Sequence, residues 1–359
     1  MLRKLITITL PTLILLLILG EFIFRFIVPA CQLPYVFFDP TDQIMRYDTR
    51  YRRTGLYTLG RSAHKGGNWR INNYGWNSEI DYSETEKDRP LLAVIGDSYV
   101  QAFEVNVEDK FSSVLQREAG SRILVYSFGI SGAPLSQYLQ MSRYVRKHFH
   151  PEVLIICMVH NDFGESLLEF SENPHFLHVR PKGSAFEEVP PIPYQPNRFR
   201  RFWKRSALAA YFYENLHFYQ WWTARKIAAQ TKTYQANVDV QSVNAKQETI
   251  EKATLLLVKK IREENPQIPI VFLMDGLRDE IYSERPGTSR LSWMNRIMEK
   301  AATENGCSFL DLTETFRENF RKDHKEFNPE YDWHWNRHGH EVVGKELYRS
   351  LIKLGILNQ

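Results

Sequence analysis

The chain has 359 residues, 43% apolar and 25% charged, with three cysteines and a formal net charge of +4 at pH 7. Such a composition builds a globular core and excludes both a disordered chain and a disulfide-stapled one. A basic excess this small and scattered, with no zinc-finger, RNP-like or helix-turn-helix pattern, also excludes nucleic acid as the partner.

Leu5 to Gly20 is an uninterrupted apolar run, preceded by Arg3 and Lys4 and followed by Glu21. Extended through Phe24 it reaches about 20 residues, enough to cross a bilayer. The leading basic residues predict a cytoplasmic N-terminus and an extracytoplasmic body. A cleaved signal peptide shares this pattern, but no small-x-small site follows, and Val28 to Cys31 makes a poor lipoprotein box. The expectation is therefore a single-pass membrane anchor within residues 1–30.

Residues 31–89 are aromatic and turn-rich, with Asn72, Asn73 and Gly75 marking a hairpin or irregular lead-in packed on the main domain. No chemistry shows in this stretch. Leu91 to Ile95 then reads as a buried parallel strand, broken by Gly96-Asp97-Ser98. A helix over Lys110–Glu118 and a strand over Arg122–Tyr126 follow, with the loop Ser127 to Gly132 behind them. Pro134 starts a helix to about His148, and Val153–Val159 is a third strand ending in His160-Asn161-Asp162. This alternation predicts right-handed βαβ units around a parallel sheet.

Residues 164–246 are too long for a single connection and read as an insertion. It is proline-rich first, then basic and aromatic, with Arg198, Arg200, Arg201, Lys204 and Arg205 alternating with Phe199, Phe202 and Trp203. A cap over the site, a surface leaning on anionic lipid or polymer, and a helical element packed on the core all fit that pattern. The sheet pattern resumes with a helix over Thr249–Glu264, a strand over Ile268–Met274, a helix over Met294–Glu304 and a strand over Cys307–Asp311. A last helix spans about His340 to Lys353. Cys157 and Cys307 lie in or beside these apolar runs and are expected to be buried hydrophobes. No metal-ligand spacing occurs, and no cofactor is implied.

Nucleophilic acyl chemistry needs a serine, a base, an orienting carboxylate and oxyanion donors, and in open α/β sheets ligands bind at the strands' carboxyl ends. Ser98, Gly132, Asn161 and the Asp332–His334 pair all fall at such ends or beyond the last strand. His334 is favoured over His338 and His340 as base, because Asp332 is within a turn of it. The other two are expected as solvated or capping residues of the last helix. Asp97 and Asp162 are expected to fix their loops, and Gly129 to serve as a turn glycine.

With Gly96-Asp97-Ser98, Ile130-Ser131-Gly132, His160-Asn161-Asp162 and Asp332-Trp333-His334 in order, the sequence resembles the SGNH (GDSL-type) hydrolase superfamily. The resemblance implies a three-layer α/β/α sandwich with a mainly parallel five-stranded sheet of flavodoxin-like order. It also implies a Ser98-His334-Asp332 triad and an oxyanion hole from Ser98, Gly132 and Asn161. Residues 90–359 would be the catalytic domain, with the insertion at 164–246. His160 stands where the family commonly has glycine, and Asp332 precedes His334 by two positions rather than three. That last spacing resembles the Asp-x-His-Trp block of extracytoplasmic alginate-type O-acetyltransferases. The implied function is a tethered esterase acting on O-acyl esters, O-acetyl on carbohydrate foremost. A polysaccharide O-acetyltransferase using the same triad, and a non-catalytic carbohydrate-binding or scaffold protein, are the alternatives.

Overall fold

The computed structural model describes residues 5–85, 88–171, 173–183, 185–196, 204–216, 234–329 and 333–357. Leu5 to Ile27 is helical throughout, an α-helix over Leu10–Phe22 flanked by π-turns at Leu5–Thr9 and Ile23–Ile27. The 22 residues from Ile6 to Ile27 are long and apolar enough to span a bilayer, and their most apolar window is unburied. Two antiparallel hairpins follow in the lead-in segment, β1 (Val36–Asp39) with β2 (Ile44–Tyr47) and β3 (Thr54–Leu59) with β4 (His64–Arg70).

The main sheet takes β5 (Leu91–Gly96), β6 (Leu124–Gly129) and β7 (Val153–Met158) from the first half of the domain. The insertion then contributes the hairpin β8 (His178–Lys182) and β9 (Ala185–Val189), and the small pair β10 (Tyr234–Gln235) and β11 (Val238–Asp239). β12 (Ile270–Met274) and β13 (Ser308–Asp311) complete the sheet, in the order β13-β12-β7-β5-β6, all parallel. The expected α/β architecture is observed, and the strands lie within a few residues of their expected limits. Order reverses between β5 and β7, so the crevice for a ligand opens beyond their carboxyl ends.

Alternation along the central strands divides the core into two layers. Leu91, Ala93 and Ile95 face one layer, with the helices Leu135–Phe149, Gln247–Glu264 and Ser292–Glu304. Leu92 and Val94 face the other, with the helices Phe111–Ala119, Thr313–Asp323 and Arg337–Lys353. Both faces being apolar, the strands read as continuous hydrophobic runs.

The lead-in segment covers the exposed edge at β6. Tyr82 stacks on Tyr126 with ring centroids 3.9 Å apart, and its hydroxyl donates to Ser127 O at 3.0 Å while accepting from Ser127 N at 2.8 Å. One side chain thus satisfies backbone groups that an open edge leaves unpaired. The insertion hairpin is latched by Arg143, which reaches Glu188 at 3.0 Å and Glu264 at 2.7 Å.

Candidate active site

Ser98 opens the short helix Ser98–Gln101 directly after β5. Asp97 caps that helix, its Oδ1 accepting from Tyr99 N at 2.9 Å, which is the loop-fixing role expected of it. The helix passes so close to the end of β6 that a Cβ on Gly129 would lie 2.2 Å from Gln101 N. Gly129 is therefore required by close approach, not by a turn conformation. Gly132 is the residue in this loop that needs glycine's freedom, with φ of +74°.

The loop before the helix Arg337–Lys353 brings His334 to the same place. Its Nε2 lies 2.7 Å from Ser98 Oγ, and that hydroxyl is also 3.1 Å from Asp97 Oδ2. When the imidazole carries its proton on Nδ1, Nε2 accepts the serine hydroxyl, the geometry a general base requires. Asp332 lies outside the described residues. Glu104 Oε1 stands 3.8 Å from His334 Nδ1, with its side chain only 8% exposed.

The other expected residues fall at neighbouring strand ends. Asn161 is the first residue of the helix Asn161–Glu165 beyond β7, half-buried, with Nδ2 donating to Glu165 Oε2 at 3.3 Å. Its amide has a second hydrogen for another acceptor. Asp162 fixes that turn by accepting from Val159 N at 2.8 Å. His160 is buried against Asn295 Oδ1 at 3.0 Å, and burial pushes its imidazole below the usual range. His340 corrects an expectation. It is buried rather than solvated, its Nδ1 accepts from Phe111 N at 3.2 Å, and burial pushes it down to about 3. The cap of the last helix is Asn336, accepting from Gly339 N at 2.9 Å.

A cavity of ≈ 250 Å³ opens beside Ser98. It is lined by Gln101, Phe103 and Glu104, by Tyr35 and Tyr57 from the lead-in segment, and by Tyr194 and Lys204 from the insertion. Arg198, Phe199, Arg200, Arg201, Phe202 and Trp203 lie outside the described residues.

A model of the GDSL-like lipase/acylhydrolase family matches residues 94–342, which takes in both Ser98 and His334. The chain belongs to that family. It is a GDSL-type serine hydrolase by membership. No curated protein sequence matches it significantly. Among solved structures, the acetyl xylan esterase AlAXEase is 15% identical with a TM-score of 0.43, covering 73% of this chain and 100% of its own. The lipase/acylhydrolase from Enterococcus faecalis is 11% identical with a TM-score of 0.40, covering 74% and 96%. The salicylyl-acyltransferase SsfX3 from a tetracycline biosynthetic pathway is 14% identical with a TM-score of 0.39, covering 76% and 57%.

This GDSL-family chain also surrounds its site with residues that sequence reasoning missed. Tyr99 OH donates to Trp333 O at 2.6 Å and accepts from Arg278 Nη2 at 2.8 Å. Arg278 in turn pairs with Asp275 at 2.8 Å, both side chains 1% exposed, and Trp335 Nε1 donates to Asp275 Oδ1 at 2.9 Å. His334 is thereby pinned through both of its neighbours. Burial holds the Tyr99 phenol far above its ordinary range, so it stays protonated and donates. The one available signal was Asp275 at the end of β12, a polar residue at a strand's carboxyl end.

Proposed function

We propose that this GDSL-family enzyme is a membrane-anchored serine esterase that removes O-acyl groups, acetyl foremost, from carbohydrate. The observation that carries the reading is the 2.7 Å approach of Ser98 Oγ to His334 Nε2. In this mechanism Ser98 Oγ attacks the ester carbonyl and its proton passes to His334 Nε2. The Ser98 and Gly132 backbone N–H groups and Asn161 Nδ2 stabilise the oxyanion. The intermediate collapses, His334 returns the proton to the departing alkoxide, and an acyl-Ser98 remains. Water, deprotonated by His334, then attacks the acyl carbon, and His334 returns that proton to Ser98 Oγ as the acid leaves. Asp332 holds the imidazole with Nδ1 protonated, a role assigned from its place in the family block.

Aromatic cavity walls at Tyr35, Tyr57, Tyr194 and Phe103 offer faces for a sugar ring. Anchoring is supported by the end of the N-terminal helix, whose Phe24 ring stacks on Tyr211 at 3.9 Å and whose trailing Ala30 and Cys31 are buried. A leader destined for removal has no need of such contacts. Carbonate extraction should leave the full-length chain in the membrane pellet; release of a trimmed chain would refute the anchor. The second reading, transfer to a sugar hydroxyl in place of water, is favoured by the Asp332-to-Trp335 spacing. Following free acetate against acetylated oligosaccharide, with an acetyl donor supplied, separates the two. Ser98→Ala should lower either activity by at least ~10³-fold with folding intact. Failure of the wild type to take a fluorophosphonate label would favour a binding protein instead.

A further inference from the structure

A carboxylate near the end of a membrane-spanning helix is costly unless it is paired or reaches the interface. Glu21 is provided for by the insertion. Its carboxylate accepts from Ser206 Oγ at 2.8 Å, Ala207 N at 3.0 Å and Leu208 N at 3.1 Å, and it pairs with Arg25 one turn on. Arg25 Nη2 also donates to Arg205 O at 3.1 Å. Ala207 and Leu208 supply the first backbone N–H groups of the helical stretch made of Ala207–Ala210 and Tyr211–Asn215, which a helix leaves unsatisfied. Glu21 thus caps the insertion helix from another part of the chain. Gly20 lets Leu208 pack closely, since a Cβ there would stand 3.0 Å from Leu208 Cδ1.

The far side of this joint is fixed to the lead-in segment. Tyr211 OH donates to Arg61 O at 2.5 Å, while Asn215 accepts from Cys31 N at 2.8 Å and donates to Thr58 Oγ1 at 3.0 Å. Lys204 Nζ donates to Pro34 O at 3.2 Å, and both residues line the cavity beside Ser98. The outward surface is apolar and continuous with the unburied helix. Phe22 is 53% exposed, Phe26 68%, Phe212 45% and Tyr213 49%. Exposed Arg25 and Arg205 border it, a pattern suited to the anionic headgroup zone.

We propose that residues 204–216, clamped to the N-terminal helix by Glu21, lie in the headgroup layer of the bilayer and hold the mouth of the Ser98 cavity at the lipid surface. The proposal rests on the anchoring reading and goes beyond it. An anchor alone is a tether, whereas this joint fixes orientation and height. Esters carried by membrane-resident amphiphiles then reach Ser98 in preference to the same esters free in water.

The test is a depth measurement on the full chain in vesicles of phosphatidylcholine and phosphatidylglycerol. Nitroxide labels are placed singly through Leu16→Cys, Phe212→Cys and Glu299→Cys; the native Cys31, Cys157 and Cys307 are buried. Oxygen and a water-soluble nickel chelate serve as the opposing relaxation probes. The Leu16 label should read hydrocarbon, the Phe212 label headgroup depth, and the Glu299 label water. Adding Glu21→Ala, or Glu21→Gln as the milder change, should lower the docked fraction at Phe212 about fivefold, the usual scale of a lost cap. The Leu16 reading and hydrolysis of a soluble acetate ester should not change. A Phe212 label as aqueous as Glu299, with Leu16 in hydrocarbon, would overturn the proposal and leave the anchor standing. An aqueous Leu16 would overturn the anchoring reading and the proposal with it.

Discussion

At the residue scale the proposed mechanism depends on two groups far apart in sequence meeting at one hydrogen bond, and on what holds the second of them still. Tyr99 sits next to the serine yet secures the loop of the histidine, through Trp333 O at 2.6 Å. Tyr99→Phe should therefore lower kcat about tenfold with little change in KM, since the bond positions His334 and touches no substrate. An unchanged kcat in steady-state kinetics would show that Tyr99 does not position His334. Asn161→Ala should cost ~10² to 10³ in kcat if its amide faces the oxyanion, and less than tenfold if it serves only Glu165. Ser98 and His334 were legible because each sits in a short local block. Tyr99, Asp275 and Arg278 were not, because their roles arise only when the fold closes and a buried ion pair finds a phenol from another strand end.

At the element scale, the central strands were legible for a physical reason. A parallel strand covered on both faces is an unbroken apolar run, as Leu91 to Ile95 and Val153 to Met158 are. The helix Thr313–Asp323 was not assigned, since only Phe316 and Phe320 of its residues are buried and the rest is polar. The lead-in hairpins mix exposed and buried residues in the same way, so their share in the cavity was invisible beforehand. Gly129→Ala tests the close approach of β6 to the helix Ser98–Gln101. Because the conflicting atom is backbone, the helix must move, and we expect ~1 to 3 kcal/mol of lost stability by thermal melting together with a larger loss of activity. Wild-type activity would show that the helix tolerates the shift.

At the scale of the whole molecule, the lead-in segment is joined to the sheet by a buried amine. Lys110 Nζ donates to Asn77 O and to Ser127 Oγ, the latter at 3.0 Å, and burial pushes its pKa down to about 7. In the unfolded chain the amine titrates near ~10.4. Between those values the unfolded state holds a proton the folded state lacks, so stability rises with pH across that window and the cost of burying the charge is fully present below it. Lys110→Met should flatten the rise, seen as a stability difference between the two proteins that is constant below about pH 7 and shifts in favour of the wild type from there to ~10.4. Curves that stay parallel would place no titration at Lys110. In the proposed membrane arrangement, the joint between Glu21 and the insertion acts at the same scale, and it would set where the whole domain stands relative to lipid.

In the proposed mechanism Ser98 carries the acyl group. The most direct measurement of this is rapid quenching of the full-length enzyme during turnover of an activated acetate ester, followed by peptide mass mapping. An acetyl group is expected on the peptide holding Ser98, building up faster than it is released and absent from Ser98→Ala. An acetyl group mapped to any other residue, or a burst that survives Ser98→Ala, would contradict it.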